Sequence, residues 1–324
     1  MNLNNPAVTV IICMYKGEAT VSRMIDCVLN QTLGDFELIL VDDGSPDSCG
    51  EIADNYAQKD ERVRVLHKPN GGLADARNKA LEIAKGEYTI QFDQDDWVEL
   101  NCLEGMYAKA KGEDSDMLIC DYYHNDEYRQ SYAKQAPTAL DHWSVLEDVV
   151  TGRLYGYCWN KLIKLEVYKK YGIKFPTEFY GCEDQFGMCQ MLKHDIKIYY
   201  LPKAFCHYVY VQGSLSRHYD EKTFKNDLLV RDMFVELLQD TASVKSVNTC
   251  KSSAIFTRAF LFGKHQYSSS EFKKSFSEFY PYVSKKGLEG FLYSMANQGH
   301  YQFARSVYTL LFQFKQLLKK LRYS

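Results

Sequence analysis

The stretch Ile90–Leu100, IQFDQDDWVEL, begins as an apolar, β-favouring run and then sets Asp93, Asp95 and Asp96 within four positions. Mutually repelling acids at the end of a buried run mark a strand that emerges from a sheet where charge is to be held. Upstream, short β-branched runs alternate with amphipathic stretches: VTVIIC, then Glu18–Asn30, FELILV, Pro46–Gln58, VRVL, Gly72–Lys85 and YTIQF. This alternation predicts a parallel sheet flanked by helices, and ligands of such sheets sit beyond the carboxyl ends of the strands.

Three strand ends carry unusual residues: Tyr15 to Glu18, then Asp42 and Asp43 with Gly44 and Ser45, then Asp93 to Asp96. Beyond Asp121 the tyrosine-rich DYYHNDEYRQSYAKQAPT reads as a long surface excursion, with regular structure resuming near Leu140. Residues 141–220 mix helical and strand-like pieces, and the chain after about 221 reads as mostly helical, without repeats or low-complexity tracts.

With 324 residues, 46% of them hydrophobic, the chain is long enough for one large domain and a smaller one. Lys and Arg number 39 against 42 Asp and Glu, a net charge of -3, so there is no global attraction for nucleic acid. Ten cysteines from Cys13 to Cys250 form no CxxC pair, which fits a reducing cytoplasm. The N-terminus lacks the pattern of a signal peptide, and no run of apolar residues is long enough to span a bilayer.

Carboxylates at a sheet rim are hard oxygen ligands suited to Mg²⁺ or Mn²⁺, with waters and substrate phosphates completing the shell. The bland alternative for Asp93, Asp95 and Asp96 is a solvated turn. Asp42 and Asp43 leave their strand as a like-charged pair that can accept a uracil imide N–H or a ribose hydroxyl, whereas Ser45 and Asp47 read as helix caps. Asn70, Gly71 and Gly72 form a loop feeding a helix that contains Arg77, a combination that attracts phosphate, although Arg77 also suits a surface salt bridge. Neither GxxxxGK[ST] nor GxGxxG occurs there. Glu183 and Asp184, in CEDQF, enter an amphipathic helix where capping competes with catalysis.

The ordered set VTVIICMYKGE, FELILVDDGSPDS, NGGLADARNKALEIAKGEY, FDQDDW, CWNKLIK and CEDQF resembles the family 2 glycosyltransferases of the GT-A fold, over about residues 7–217. The resemblance implies inverting transfer of a sugar from a UDP-sugar to an acceptor hydroxyl, assisted by Mn²⁺ or Mg²⁺. It implies Tyr15 and Glu18 framing the base, Asp43 with Asp42 at the uracil, and Asn70 and Arg77 at the donor. Asp93 and Asp95 are implied at ribose and metal, with Asp96 as the alternative ligand. Asp184 is implied as the catalytic base, and Glu183 as its neighbour. Trp159, Asn160 and Lys161 match a WNK segment, with Trp159 a candidate acceptor contact, while FCHYVYVQGSLSRH resembles a segment that closes over the diphosphate and offers His207, Gln212, Ser214, Ser216 and Arg217. Cys13 and Lys16 depart from the common proline and asparagine.

The expected organisation is a GT-A domain over residues 1–220, its nucleotide-binding half about 1–121 and acceptor half about 122–220, followed by a helical region over 221–324. In the terminal segment Val307, Leu310, Leu311, Phe314, Leu317, Leu318 and Leu321 share one helical face, and the last 24 residues contain no acid. A basic amphipathic helix of this kind suits peripheral contact with the inner face of a membrane, and so a saccharide acceptor linked to polyprenyl diphosphate; packing on protein, including a homo-oligomer, is the other expectation. Rival readings are a sugar nucleotidyltransferase, for which CMYKGEATVS lacks the basic glycine-rich loop, and a non-catalytic nucleotide-sugar-binding subunit.

Overall fold

The computed structural model describes residues 5–126, 129–209, 219–263 and 267–323. Strands β1 (Val8–Met14), β2 (Phe36–Asp42), β3 (Val63–His67) and β4 (Tyr88–Asp93) run parallel, separated by helices α1 (Val21–Leu29), α2 (Cys49–Ala57) and α3 (Leu73–Ile83). The interiors of β1, β2 and β4 are buried on both faces, which explains why the sequence shows continuous apolar runs there in place of alternation, while β3 at the sheet edge is mostly half-buried. Beyond them follow β5 (Trp97–Val98), α4 (Cys102–Gly112), β6 (Met117–Asn125), β7 (Gln130–Ala133), α5 (His142–Thr151), β8 (Lys161–Lys164), α6 (Leu165–Tyr171), α7 (Glu183–Leu192) and β9 (Ile198–Val209).

The strand order is β3-β2-β1-β4-β8-β6-β9-β5, with β7 paired to β6. Strand β8 runs antiparallel to both β4 and β6, and β5 antiparallel to β9, while β6 and β9 are parallel. Register places Met14 opposite Asp42, Cys13 opposite Asp93, and Asp42 opposite His67. The carboxyl ends of β1 to β4 therefore finish level, and the residues that follow them share one rim.

The surface excursion expected after Asp121 is instead a β-hairpin, β6–β7, in which Tyr122 faces Ala133 and Tyr123 faces Tyr132. Tyrosine favours the pleated surface over a loop, and the polar Asp121 that suggested exposure is buried, accepting hydrogen bonds from both Tyr200 and Tyr132 hydroxyls and the Gln135 N–H.

Backbone contacts divide the chain into two compact units near residue 210. The second is helical: α8 (Glu221–Leu237), α9 (Val244–Phe262), α10 (Ser269–Phe276), α11 (Gly287–Met295) and α12 (Tyr301–Tyr323). Its core is aromatic, built from Phe256, Phe260, Phe272, Phe276, Phe279, Tyr293 and Tyr301. Among the described residues, no helix is long and apolar enough to cross a membrane.

In the first unit Glu37, a polar intruder on β2, is 4% exposed and accepts from the Thr9 hydroxyl at 2.7 Å, the Lys85 N–H at 2.6 Å and the Arg64 guanidinium at 3.1 Å. It ties β1 and β2 to the loop after α3. Glu37→Ala leaves these donors unsatisfied and is expected to lower stability by about 2 kcal/mol in a urea titration; a loss below about 0.5 kcal/mol would contradict this role.

Candidate active site

The rim begins with Tyr15, whose ring is 41% exposed beside the Lys16 ammonium. Lys16 holds the left-handed φ of 52° where asparagine was expected, and its N–H donates to Ser45 Oγ at 2.7 Å. The Gln94 side-chain amide spans the Tyr15 backbone, accepting from its N–H at 3.2 Å and donating to its carbonyl at 2.9 Å. Gln94, passed over in the sequence as the spacer of an acidic motif, thus fastens the Tyr15 loop to the Asp93–Asp96 loop. Glu18 is turned toward α2, where it accepts from the Ser48 N–H at 3.1 Å. Asp47 accepts from the Glu18 and Cys49 N–H groups, and hydrogen bonding, led by the Ser45 hydroxyl, holds its pKa near 2 against burial.

The two acids after β2 separate. Asp42 binds the Ser45 N–H at 2.9 Å and the His67 ring at 3.0 Å and lies under α2, where a Cβ on Gly50 would meet its Oδ2 at 2.8 Å. Consecutive residues at a strand end point to opposite faces, so the pair does not share one crevice as expected. Asp43, 3% exposed, turns to the loop before α3: it accepts the Gly71 and Gly72 N–H groups, each at 2.9 Å, and the Lys68 ammonium. Those N–H groups, expected to face phosphate, are therefore taken by a carboxylate. Asn70 braces the same turn, donating to the Asp43 carbonyl at 2.9 Å. Asp43 Oδ1 is saturated by Lys68 and Gly71, whereas Oδ2 has one donor among the described residues and keeps a further lone pair. No sequence motif singled out Lys68.

Arg77 is not on a surface. It is 3% exposed, and its guanidinium pairs with Asp184, with Asp93 at 3.3 Å and with Glu183 at 3.8 Å. The acid at the end of β4 and the two acids opening α7 thus meet on one cation. Burial opposes the guanidinium charge, but the surrounding carboxylates, Asp184 foremost, drive its pKa further up. Asp184 Oδ2 also accepts the Cys158 N–H at 3.2 Å, so its side chain faces this cluster and does not cap α7. Burial raises Asp93 to about 7 despite Arg77, and burial with the neighbouring Asp184 raises Glu183. Glu183 Oε2 is buried with no hydrogen-bond partner among the described residues.

Asp93, Asp95 and Asp96 do not converge. Asp96, 4% exposed, accepts the Val209 N–H at 2.8 Å, and burial pushes it up to about 8. Asp95 is half-buried with no partner for its carboxylate among the described residues. No three His, Cys, Asp or Glu side chains among the described residues form a metal-binding group. The repulsion read as a demand for a cation is relieved differently at each position: by Arg77, by solvent, and by a backbone N–H. What remains for a divalent ion is Asp95, with Asp93 a third exposed beside it, a sparse donor set of the kind completed by waters and phosphates.

Trp159 is buried, Asn160 donates to the Cys120 carbonyl, and Lys161 is 1% exposed within the fold. His207 is 2% exposed, stacked between Trp97 and Tyr123, with Nε2 3.0 Å from Glu99; it belongs to the β5–β9 packing and not to the acidic cluster. Gln212, Ser214, Ser216 and Arg217 lie outside the described residues.

The model of the glycosyl transferase family 2 matches residues 9–192, more than half of the chain. The chain is a family 2 glycosyltransferase. EpsH of Bacillus subtilis, named as a glycosyltransferase, is 29% identical over 249 residues, 74% of this chain and 71% of that protein. The poly(ribitol-phosphate) beta-glucosyltransferase of Bacillus spizizenii is 31% identical over 210 residues, 60% of this chain but 32% of that protein. The crystal structure of S. aureus TarS residues 1–349 in complex with UDP-GlcNAc superposes on this glycosyltransferase with a TM-score of 0.65 at 21% identity, covering 94% of this chain and 91% of that one. The GT-A fold expected from the motifs is thereby established.

Arg77→Leu strands three carboxylates around an apolar side chain. Asp93 and Glu183, already raised above their ordinary values by burial, rise further without the cation, so the stability of the variant relative to wild type falls as pH rises through that range. The variant is expected to unfold about 3 kcal/mol more easily than wild type at pH 8 and to recover part of that loss at pH 5; equal denaturant midpoints at pH 8 would contradict the bridge.

Proposed function

We propose that this glycosyltransferase moves a sugar from a UDP-sugar to a hydroxyl of a saccharide acceptor, with inversion at the anomeric carbon, in the synthesis of a bacterial cell-surface polysaccharide. The observation that carries this reading is the junction at Arg77, which holds a donor-side acid, Asp93, and the acids of α7 on one guanidinium. A leaving group bound over the β-strand ends lies next to a base on α7, as an in-line displacement requires.

In the proposed arrangement Tyr15 covers the base, Asp43 Oδ2 accepts the imide N–H, and Arg77 answers the diphosphate charge. Asp184 takes the proton of the acceptor hydroxyl as its oxygen attacks the anomeric carbon and the bond to the diphosphate breaks. The unsatisfied Glu183 Oε2 suits it to accept a second acceptor hydroxyl and so to orient the nucleophile. Mn²⁺ or Mg²⁺ held through Asp95 would supply Lewis-acid stabilisation of the departing diphosphate. The UDP-GlcNAc complex of TarS supports the donor class, and the name of the Bacillus spizizenii relative supports glycosyl transfer in the making of a cell-surface polymer. A nucleotidyltransferase, or a binding subunit without chemistry, leaves the orientation of Asp184 into the Arg77 cluster unexplained.

UDP release measured across a panel of UDP-sugars and saccharides tests the reading. Asp184→Asn is expected to keep UDP-sugar affinity and lose turnover by at least about 100-fold, and Asp95→Ala to weaken metal-dependent UDP binding about tenfold; full turnover by the Asp184 variant removes it from the base role.

The exposed Leu310, Leu311, Phe312 and Phe314 of α12, with Lys315 beside them, support peripheral contact with the cytoplasmic face of an anionic membrane, within reach of a polyprenyl-linked acceptor. Removing residues 310–324 is expected to reduce co-sedimentation with phosphatidylglycerol vesicles at least fivefold; unchanged sedimentation removes the membrane contact.

A further inference from the structure

The segment Tyr155–Lys161 carries two exposed tyrosines that the donor chemistry does not use. Tyr155 is 44% and Tyr157 38% exposed, yet the rings are ordered. Tyr155 and Tyr157 stack with centroids 5.3 Å apart and planes 16° from parallel. Tyr157 stacks in turn on buried Trp159 at 5.3 Å and 19°, and lies 8° from the plane of Tyr208. Tyr122 meets Tyr155 and Trp159 edge-on from below.

The backbone beneath these rings is pinned. The buried Lys161 ammonium donates to the carbonyls of Tyr155 at 2.8 Å and Tyr157 at 2.7 Å and to Asn160 Oδ1 at 2.8 Å, using all three of its protons. The Tyr155 N–H donates to Gln135 Oε1 at 2.9 Å. On the other side Gly156 packs on the start of α7, where a Cβ would meet the Gln185 Cα at 2.7 Å, and the Cys158 N–H binds Asp184. Tyr157 is therefore fixed one residue, and Tyr155 three residues, away from a hydrogen bond to the candidate base. This accounts for the otherwise unused Asn160 and Lys161: they are the footing of an aromatic surface.

We propose that the rings of Tyr155 and Tyr157 form the acceptor subsite, on which a pyranose ring of the saccharide lies so that its free hydroxyl reaches Asp184. The proposal rests on the transferase reading above. A pyranose presents a face of C–H groups with partial positive charge, complementary to the negative face of a tyrosine ring, while its hydroxyls stay hydrated at the rim. Rigid, half-exposed aromatic area loses little conformational entropy on binding, which suits a weakly held, mobile substrate such as a growing glycan.

Chitotetraose, cellotetraose and maltotetraose are the probes, observed by saturation-transfer NMR on the full chain with UDP and diamagnetic Mg²⁺, while UDP-GlcNAc binding is followed separately by calorimetry. At least one tetrasaccharide is expected to receive saturation at its ring C–H protons. Tyr157→Ala should weaken that saccharide at least fivefold with UDP-GlcNAc affinity within twofold of wild type, and Tyr157→Trp should retain it. Equal saccharide binding by Tyr157→Ala, or no binding of any probe to wild type, overturns the subsite. Failure of wild type to bind either UDP or UDP-GlcNAc overturns the UDP-sugar reading, a result separate from the saccharide measurements.

Discussion

A buried guanidinium shared by acids from distant parts of the chain is the constraint on which this site depends. Arg77 is on α3, Asp93 ends β4, and Glu183 and Asp184 open α7, so the cation joins the nucleotide-side half of the first unit to its later half. Such an arrangement is weak evidence for stability, since desolvating four charged groups offsets much of their attraction. Its value is positional. Each carboxylate has a defined partner direction, and Asp184 is held by a second bond from the Cys158 N–H, which fixes its orientation in the absence of any ligand.

The strand-helix alternation and the level strand ends were legible because parallel strands, buried on both faces, leave uninterrupted apolar runs and place polar residues only where the backbone emerges. Asp43, Asp93, Arg77 and Asp184 were legible as a set through ordered motifs, not through spacing: residues 77 and 184 are 107 positions apart, and nothing in local periodicity brings them together. What one-dimensional reading lost was direction. Asp42 and Asp43 look equivalent in the sequence, yet the two-residue period of the strand sends one to His67 and the other to the glycine turn. Asp93, Asp95 and Asp96 look like a cluster, yet the turn after β4 distributes them among a guanidinium, solvent and a strand N–H.

Backbone donors are a second reason for what stayed hidden. The N–H groups of Gly71, Gly72, Cys158 and Val209 each satisfy a site carboxylate, and an N–H leaves no residue-type signal. The same holds for the tyrosine-rich hairpin, where polarity suggested solvent but the buried Asp121 and its hydroxyl partners close a network inside the sheet. Polar residues count as exposed only until their partners are known.

Charge bookkeeping at the rim limits how a nucleotide diphosphate can enter. Arg77 and Lys68 already face Asp43, Asp75, Asp93, Asp184 and Glu183, so neither of these two cations is spare for an anion arriving over the strand ends, whereas the Lys16 ammonium beside Tyr15 carries no carboxylate partner among the described residues. Burial has lifted Asp93 to about 7, which places protonation of that acid within reach near neutrality and lowers the repulsion by one unit. In the proposed mechanism a diphosphate competes with Asp93, Glu183 and Asp184 for the Arg77 guanidinium, so its arrival bears directly on how the acids of α7 are held.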